Sequence, residues 1–101
     1  MYTATQEQID AWKKEFGSVF KITVQDCCCY LKKAPRKSIG YASVASNIKG
    51  KSNPVKFNEF LLKECWLAGD EEIKTNDDLF LSVSAQLAEI IETSEAELVK
   101  L

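Results

Sequence analysis

The sequence predicts an α+β fold: an N-terminal helix, a two-stranded antiparallel β-hairpin, then three to four α-helices forming one small core. Between Asn53 and Gly69, apolar residues recur at three- and four-residue steps, which is typical of a helix that buries one face. The segment from Val19 to Val24 is instead rich in β-branched and aromatic residues that alternate in character. A chain of 101 residues is the size of a single domain, and we predict one domain over residues 1–101.

The first helix is predicted from Gln6 to Phe16. Thr5 and Gln8 have the spacing of a capping box, and Gly17 is a suitable terminator. The apolar residues on one side are Ile9, Trp12 and Phe16. This pattern indicates an amphipathic helix with one large aromatic anchor.

The hairpin is predicted to join residues 19–24 to residues 27–32 through a turn at Gln25 and Asp26. In the first strand the core-facing residues are Phe20, Ile22 and Val24. A two-stranded hairpin is marginal alone, so we expect it to lie against helices.

A second helix is predicted over residues 38–46, after Pro35, and a polar loop over residues 47–52. The central helix follows, with Asn53 as its cap, Pro54 in its first position and Gly69 at its end. Its inward residues are Phe57, Phe60, Leu61, Cys65 and Ala68, widened by Leu62 and Trp66. We expect every other element to pack on this helix.

Residues 70–75 form an acidic connector of uncertain shape. Asn76 then offers a cap, with Asp77 and Asp78 at the positive end of the helix dipole. Helical spacing of apolar residues continues to Ile91, which predicts one long last helix. A second capping box at Ser94 predicts a short terminal helix to Leu101.

Composition indicates an ordinary soluble protein, with 46% hydrophobic and 28% charged residues. No apolar run approaches the ~18–20 residues that span a bilayer, and the N-terminus lacks the features of a signal peptide. We therefore predict no membrane partner and a cytoplasmic location. The net charge of -2 offers no overall electrostatic support for nucleic-acid binding.

The sequence contains no histidine, which excludes Ser-His-Asp and Cys-His catalysis and removes the commonest metal ligand. The triplet Cys27, Cys28 and Cys29 lacks a second pair at zinc spacing and lacks a Cys-x-x-Cys arrangement. We interpret these residues and Cys65 as free thiols with a packing role. The prediction is a protein without enzymatic activity, catalytic residues, metal or cofactor.

One basic cluster consists of Lys32, Lys33, Arg36 and Lys37. Such a run is either a solvated edge that discourages strand pairing or a contact for a phosphate backbone or an acidic protein. Two acidic groups at residues 70–72 and 77–78 are likewise either solvated helix caps or a patch that faces a partner.

Several segments resemble small proteins of tailed phages and prophages, of the tail assembly chaperone type. They are WKKEFG (12–17), VFKI (19–22), YLKK (30–33), PRK (35–37), NE (58–59), CWL (65–67) and GDEEI (69–73). The resemblance implies a small factor of the bacterial host cytoplasm that binds the tape measure and tail tube proteins during assembly.

The end of the central helix carries the clearest likeness and the best candidate for an exposed aromatic anchor. The predicted protein-binding residues are Trp66, Leu67, Asp70, Glu71 and Glu72. The alternative function is a small nucleic-acid-binding regulator that uses Lys32, Lys33, Arg36 and Lys37. A homo-oligomer is left open.

Overall fold

The computed structural model describes residues 1–91 and 98–101 and confirms the α+β class. Its elements are α1 Gln6–Phe16, β1 Val19–Val24, β2 Cys27–Lys32, α2 Arg36–Ala45, α3 Pro54–Cys65, β3 Trp66–Gly69, α4 Glu72–Thr75, α5 Asp77–Ser84 and a 3₁₀ helix at Leu87–Ile90. The three strands form one antiparallel sheet in the order β1-β2-β3. The terminal helix predicted from Ser94 begins outside the described residues, and residues 98–101 are not helical.

Helix α1 and the hairpin have the predicted bounds. The backbone N–H of Gln8 donates to Thr5 Oγ1 (3.2 Å), and the N–H of Thr5 donates to Gln8 Oε1 (2.9 Å), so the capping box is closed. Strand β1 pairs with β2 from Val19 opposite Lys32 to Val24 opposite Cys27. The tight turn between them needs no glycine, because Gln25 takes the left-handed conformation (φ 51°).

The prediction for the last turn of the central helix was wrong. Helix α3 ends at Cys65, and the next four residues form the third strand of the sheet. Ala68 lies opposite Tyr30 and Gly69 opposite Cys29, while Trp66 lies opposite Leu31, so Leu67 is the extra residue of a bulge. Pairing with β3 gives hydrogen-bond partners to backbone groups of β2 that a two-stranded hairpin would leave unpaired. This stabilisation exceeds that of one more turn of α3.

Gly69 is needed for the close approach of β3 to β2 and not to end a helix. A Cβ atom built on Gly69 would lie 2.7 Å from the carbonyl oxygen of Cys28 and 2.7 Å from Cys29 Cα. Both atoms belong to the backbone of β2, so they cannot move aside without separating the strands. The absence of a side chain therefore allows the third strand to form.

The central strand β2 is buried on both faces. Its residues Cys27, Cys29 and Leu31 face the larger core, against partly buried side chains of β1 and the helices. Buried residues of this core outside the sheet are Ala34, Ala42, Leu61, Leu62, Cys65, Ile73, Leu79, Phe80, Val83, Leu87 and Ile90. Cys28 and Tyr30 face the opposite side, where they form a second cluster with Ala4.

That second cluster is covered by the N-terminal segment and by α1. The partly buried side chains packed against it are Tyr2, Ile9, Trp12 and Leu67. Trp12 lies over Tyr30, with ring centroids 5.6 Å apart. Because small side chains fit between two layers, this sandwich explains the cysteine triplet, whose thiols are all free and buried as predicted.

The predicted long last helix is interrupted. Asn76 caps α5 as expected, accepting a hydrogen bond from the N–H of Leu79 (3.2 Å), but α5 ends at Ser84 instead of Ile91. The chain then turns into the 3₁₀ helix. Residues three apart share one side of a 3₁₀ helix, so Leu87 and Ile90 both stay buried after the break. Helix α2 begins at Arg36 rather than at residue 38.

Candidate protein-interaction surface

Trp66, the predicted aromatic anchor, packs against other residues of the fold. Trp66 is half-buried on β3, and Lys74 Nζ lies 4.1 Å from the centroid of its ring. Leu67 is half-buried against the second cluster. The cation and the sheet therefore cover part of the surface that a partner would use.

Asp70 joins the N-terminus to the sheet. The backbone N–H of Tyr2 donates to both carboxylate oxygens (3.1 and 2.9 Å), and the N–H of Cys28 donates to Oδ2 (2.9 Å). These bonds favour the ionised carboxylate and lower the pKa of Asp70 from its ordinary value. The Cys28 thiol completes the junction by donating to the carbonyl oxygen of Tyr2 (2.8 Å).

The two neighbouring acids also have contacts within the chain. Glu71 forms an ion pair with Lys74 (3.2 Å), and Glu72 accepts a long hydrogen bond from the Cys27 thiol (3.9 Å). The structure thus brings Trp66, Asp70, Glu71 and Glu72 together at the junction of β3 and α4. Each of these four side chains already has a partner in the fold.

The predicted basic cluster is divided between two elements. Lys32 is half-buried at the end of β2, where its Nζ lies 5.0 Å from the centroid of the Phe16 ring. The backbone N–H of Lys33 donates to the carbonyl oxygen of Ser18 (3.2 Å). Arg36 and Lys37 are exposed in the first turn of α2, which contains no acidic residue. Of these four cations, only Arg36 and Lys37 lie on a helix.

A larger basic region surrounds this pair, and its signal was present in the sequence. Residues 27–58 contain seven of the 13 basic residues and none of the 15 acidic ones. Lys49 and Lys51, in the loop between α2 and α3, are exposed like Arg36 and Lys37. None of these four cations forms an ion pair with another described residue. The cluster predicted from the sequence did not include Lys49 and Lys51.

The α2–α3 helical hairpin, which consists of these two helices and the loop between them, exposes large apolar side chains. These are Tyr41 (52% exposed), Val44 (78%), Ile48 (51%) and Val55 (48%). Among described residues 5–91, the only other large apolar side chain with comparable exposure is Leu81 on α5. Scattered exposed apolar residues are ordinary, but several on one helical hairpin make that hairpin a candidate interaction site.

Local structure explains why these side chains face outward. The inward side of α2 carries the small buried residues Ser38 and Ala42, which allow α2 to pack closely against α3. Tyr41 lies beside this contact, with its ring edge-on to Phe60 at 5.8 Å between centroids. In the loop, reciprocal backbone hydrogen bonds between Ile48 and Lys51 (2.9 and 3.0 Å) hold a tight turn. We call the exposed set Arg36, Lys37, Tyr41, Val44, Ile48, Lys49, Lys51 and Val55 the basic-apolar face.

A shallow cleft of about 200 Å³ adjoins this face. Its lining residues are Glu59, Phe60, Leu62, Lys63, Lys74 and Phe80. Phe60 belongs to both features, because its ring contacts Tyr41 and also lines the cleft. Phe60 therefore connects α2 to the cleft, whose lining residues come from α3, α4 and α5.

The described residues contain no metal-binding cluster, and two of the buried thiols have strongly raised pKa values. No three of their Cys, Asp and Glu side chains are arranged to hold a metal ion. Burial raises the pKa of Cys29 to about 12 and that of Cys65 to about 11, so neither thiol is a ready nucleophile. Among helices of the described ranges, none has the length and apolar character needed to cross a membrane.

Comparisons with models of protein families, with curated proteins and with solved structures found no match for this chain. The case for its function therefore depends on the surface described above.

Proposed function

We propose that this protein is a non-catalytic assembly factor of the phage tail assembly chaperone type, which binds tape measure and tail tube proteins in the bacterial host cytoplasm. The observation that carries the proposal is the exposure of Tyr41, Val44, Ile48 and Val55 on one helical hairpin. The likeness of several segments to that group of phage proteins supports the choice of partners.

The physical requirements of such a factor fit this surface. A protein that holds apolar segments before assembly needs exposed apolar area of its own, with nearby charge to keep it soluble. The basic-apolar face combines both, since its exposed aliphatic side chains and its four exposed cations belong to the same stretch of chain, residues 36–55. The residues at the β3–α4 junction are less suited to this role, because they already have partners within the fold.

Co-expression with the tape measure protein of the same phage or prophage, followed by affinity purification, tests the proposal. We expect the two proteins to purify together and Val44→Ser to reduce the yield of the complex. Leu81→Ser is the matched control, because Leu81 is also exposed but lies on a different helix. Failure to associate when both proteins are soluble would contradict the proposal.

Binding to nucleic acid is the second candidate function. It is favoured by residues 27–58, which contain seven basic residues and no acidic ones. Nucleic-acid binding would use Lys32, Lys33, Arg36 and Lys37. Such binding would weaken steeply with salt, because each phosphate contact releases counterions. Electrophoretic mobility shifts with DNA and RNA at low salt, repeated after reversal of the charges at Arg36 and Lys37, decide between the two.

A further inference from the structure

We infer that the basic-apolar face receives an acidic amphipathic helix of a partner protein. This inference rests on the proposed function and specifies the chemistry of the segment that is bound. It combines two observations on the same stretch of chain. Positions 36–58, from the start of α2 into the first part of α3, contain no acidic residue, and large apolar side chains are exposed there.

The positive charge of the basic-apolar face favours a partner segment with negative charge. Arg36, Lys37, Lys49 and Lys51 are exposed and lack ion-pair partners among the described residues. The acidic residues that flank this stretch in the sequence are Asp26 and Glu59, and Glu59 already pairs with Lys56 (3.5 Å). A positively charged surface raises the association rate of acidic partners and disfavours basic partners.

The apolar side chains select a polypeptide over a nucleic acid. Val44, Ile48 and Val55 are aliphatic and cannot stack on bases, and Tyr41 is engaged edge-on with Phe60. Tyr41 and Val44 lie three residues apart on α2, a spacing that forms a ridge able to pack into the groove of another helix. An amphipathic helix meets both demands, with an apolar stripe for the ridge and acidic residues for the flanking cations.

The cleft beside Phe60 can accommodate one larger side chain of that helix. Its volume of about 200 Å³ exceeds that of an apolar cavity of ~150 Å³ that holds benzene. Phe60, Leu62 and Phe80 supply its apolar lining. Its charged lining residues are Glu59, Lys63 and Lys74. A leucine or phenylalanine side chain is therefore of suitable size for the cleft.

Fluorescence anisotropy with labelled synthetic peptides tests the inference. Each peptide has about 20 residues, because isolated helices shorter than ~12–15 residues are marginal. One has a leucine stripe with glutamates on the polar face, and a second has lysines in place of those glutamates. We expect only the glutamate peptide to bind, and its affinity to fall as sodium chloride rises from about 0.05 to 0.5 M.

Two variants locate the binding. The double reversal Lys37→Glu with Lys51→Glu is expected to weaken binding of the glutamate peptide by about tenfold or more, because two attractions become repulsions. Val44→Ser is expected to weaken it at either salt concentration. The matched control reverses two exposed cations of α1, Lys13→Glu with Lys14→Glu, and should leave the affinity unchanged. Circular dichroism verifies that each variant is folded.

Several outcomes would overturn the inference. They are equal binding of the lysine peptide, an unchanged affinity in the Lys37/Lys51 variant, and tighter binding of DNA or RNA than of the glutamate peptide. Self-association in sedimentation experiments that the same double variant abolishes would identify the occupant as a second copy, which also overturns it. If the tape measure protein co-purifies but the peptide does not bind, only this inference fails. If the peptide binds but the tape measure protein does not, the proposed function fails.

Discussion

Replacement of Gly69 by alanine is the sharpest test of the three-stranded sheet. The new Cβ atom would lie 2.7 Å from the carbonyl oxygen of Cys28 and from Cys29 Cα, and 2.8 Å from Cys29 Cβ. All three atoms belong to the buried central strand β2 or are attached directly to its backbone. The substitution therefore forces β3 away from β2 and weakens the hydrogen bonds between them.

The size of the effect follows from this geometry. Overpacking of a well-packed interior costs about 1–3 kcal/mol, and the upper end applies where the contacted atoms are backbone. For a domain of this size, a loss of about 3 kcal/mol lowers the melting temperature by roughly 10–25 °C. A glycine that merely ended a helix in the left-handed conformation would cost about 1 kcal/mol on the same change.

Urea denaturation and thermal melting followed by circular dichroism measure this difference. Gly40→Ala is the matched control, because Gly40 lies inside helix α2 and nothing outside its own helical turns lies within 4 Å of the position that the new methyl group would take. That variant should gain about 0.5–1 kcal/mol, since alanine is the better helix former. A Gly69→Ala protein that loses no more than about 1 kcal/mol would refute the packing of β3 against β2.

Three further predictions concern the core and the N-terminal junction. Hydrogen bonds lower the pKa of Asp70 in the folded protein, so the ionised carboxylate stabilises the fold above pH 3.8, its ordinary pKa, and this stabilisation is lost as pH falls through the folded pKa. The melting temperatures of wild type and Asp70→Asn should therefore converge in acid. A difference in melting temperature that stays constant with pH would contradict this. Burial should protect Cys29 and Cys65 from alkylation by iodoacetamide at mildly alkaline pH until urea unfolds the chain, and mass spectrometry measures the extent of labelling. Rapid labelling of both residues in the native protein would contradict their burial. Leu31→Ala should lose about 2–5 kcal/mol in urea denaturation, because Leu31 is fully buried on β2, and a smaller loss would mean that the core collapses around the gap.

Local signals in the sequence predicted the elements whose ends are determined by neighbouring residues. The capping box at Thr5 and the cap at Asn76 both form as expected, because their partners lie three residues away. The alternation in β1 likewise survives, with Lys21 and Thr23 exposed and Ile22 packed on the core. Short-range chemistry was sufficient for these features.

The third strand could not be predicted in the same way. Trp66–Gly69 follows a helical pattern in sequence, and a short apolar run suits a helix or a strand equally. Its pairing partner, β2, lies more than 30 residues earlier in the chain. Long-range pairing outweighed the local preference here, as tertiary contacts commonly do.

The candidate site shows the same division. The sequence pointed to Asp70 as a residue for a partner, yet its hydrogen bonds join it to Tyr2, 68 positions away. No local pattern reveals such a contact. The basic-apolar face, by contrast, was visible as a charge block over residues 27–58, but the exposure of Val44 and Ile48 depends on how α2 packs against α3.

The central claim is that the α2–α3 hairpin is the surface that binds a protein partner. Chemical-shift mapping of the isotope-labelled protein, titrated with the purified tape measure protein or its binding fragment, tests this claim most directly. We predict that the perturbed amides concentrate between Arg36 and Lys63, with the largest changes near Val44 and Ile48. Perturbations centred instead on Trp66 and the β3–α4 junction, or none at saturating partner, would contradict it.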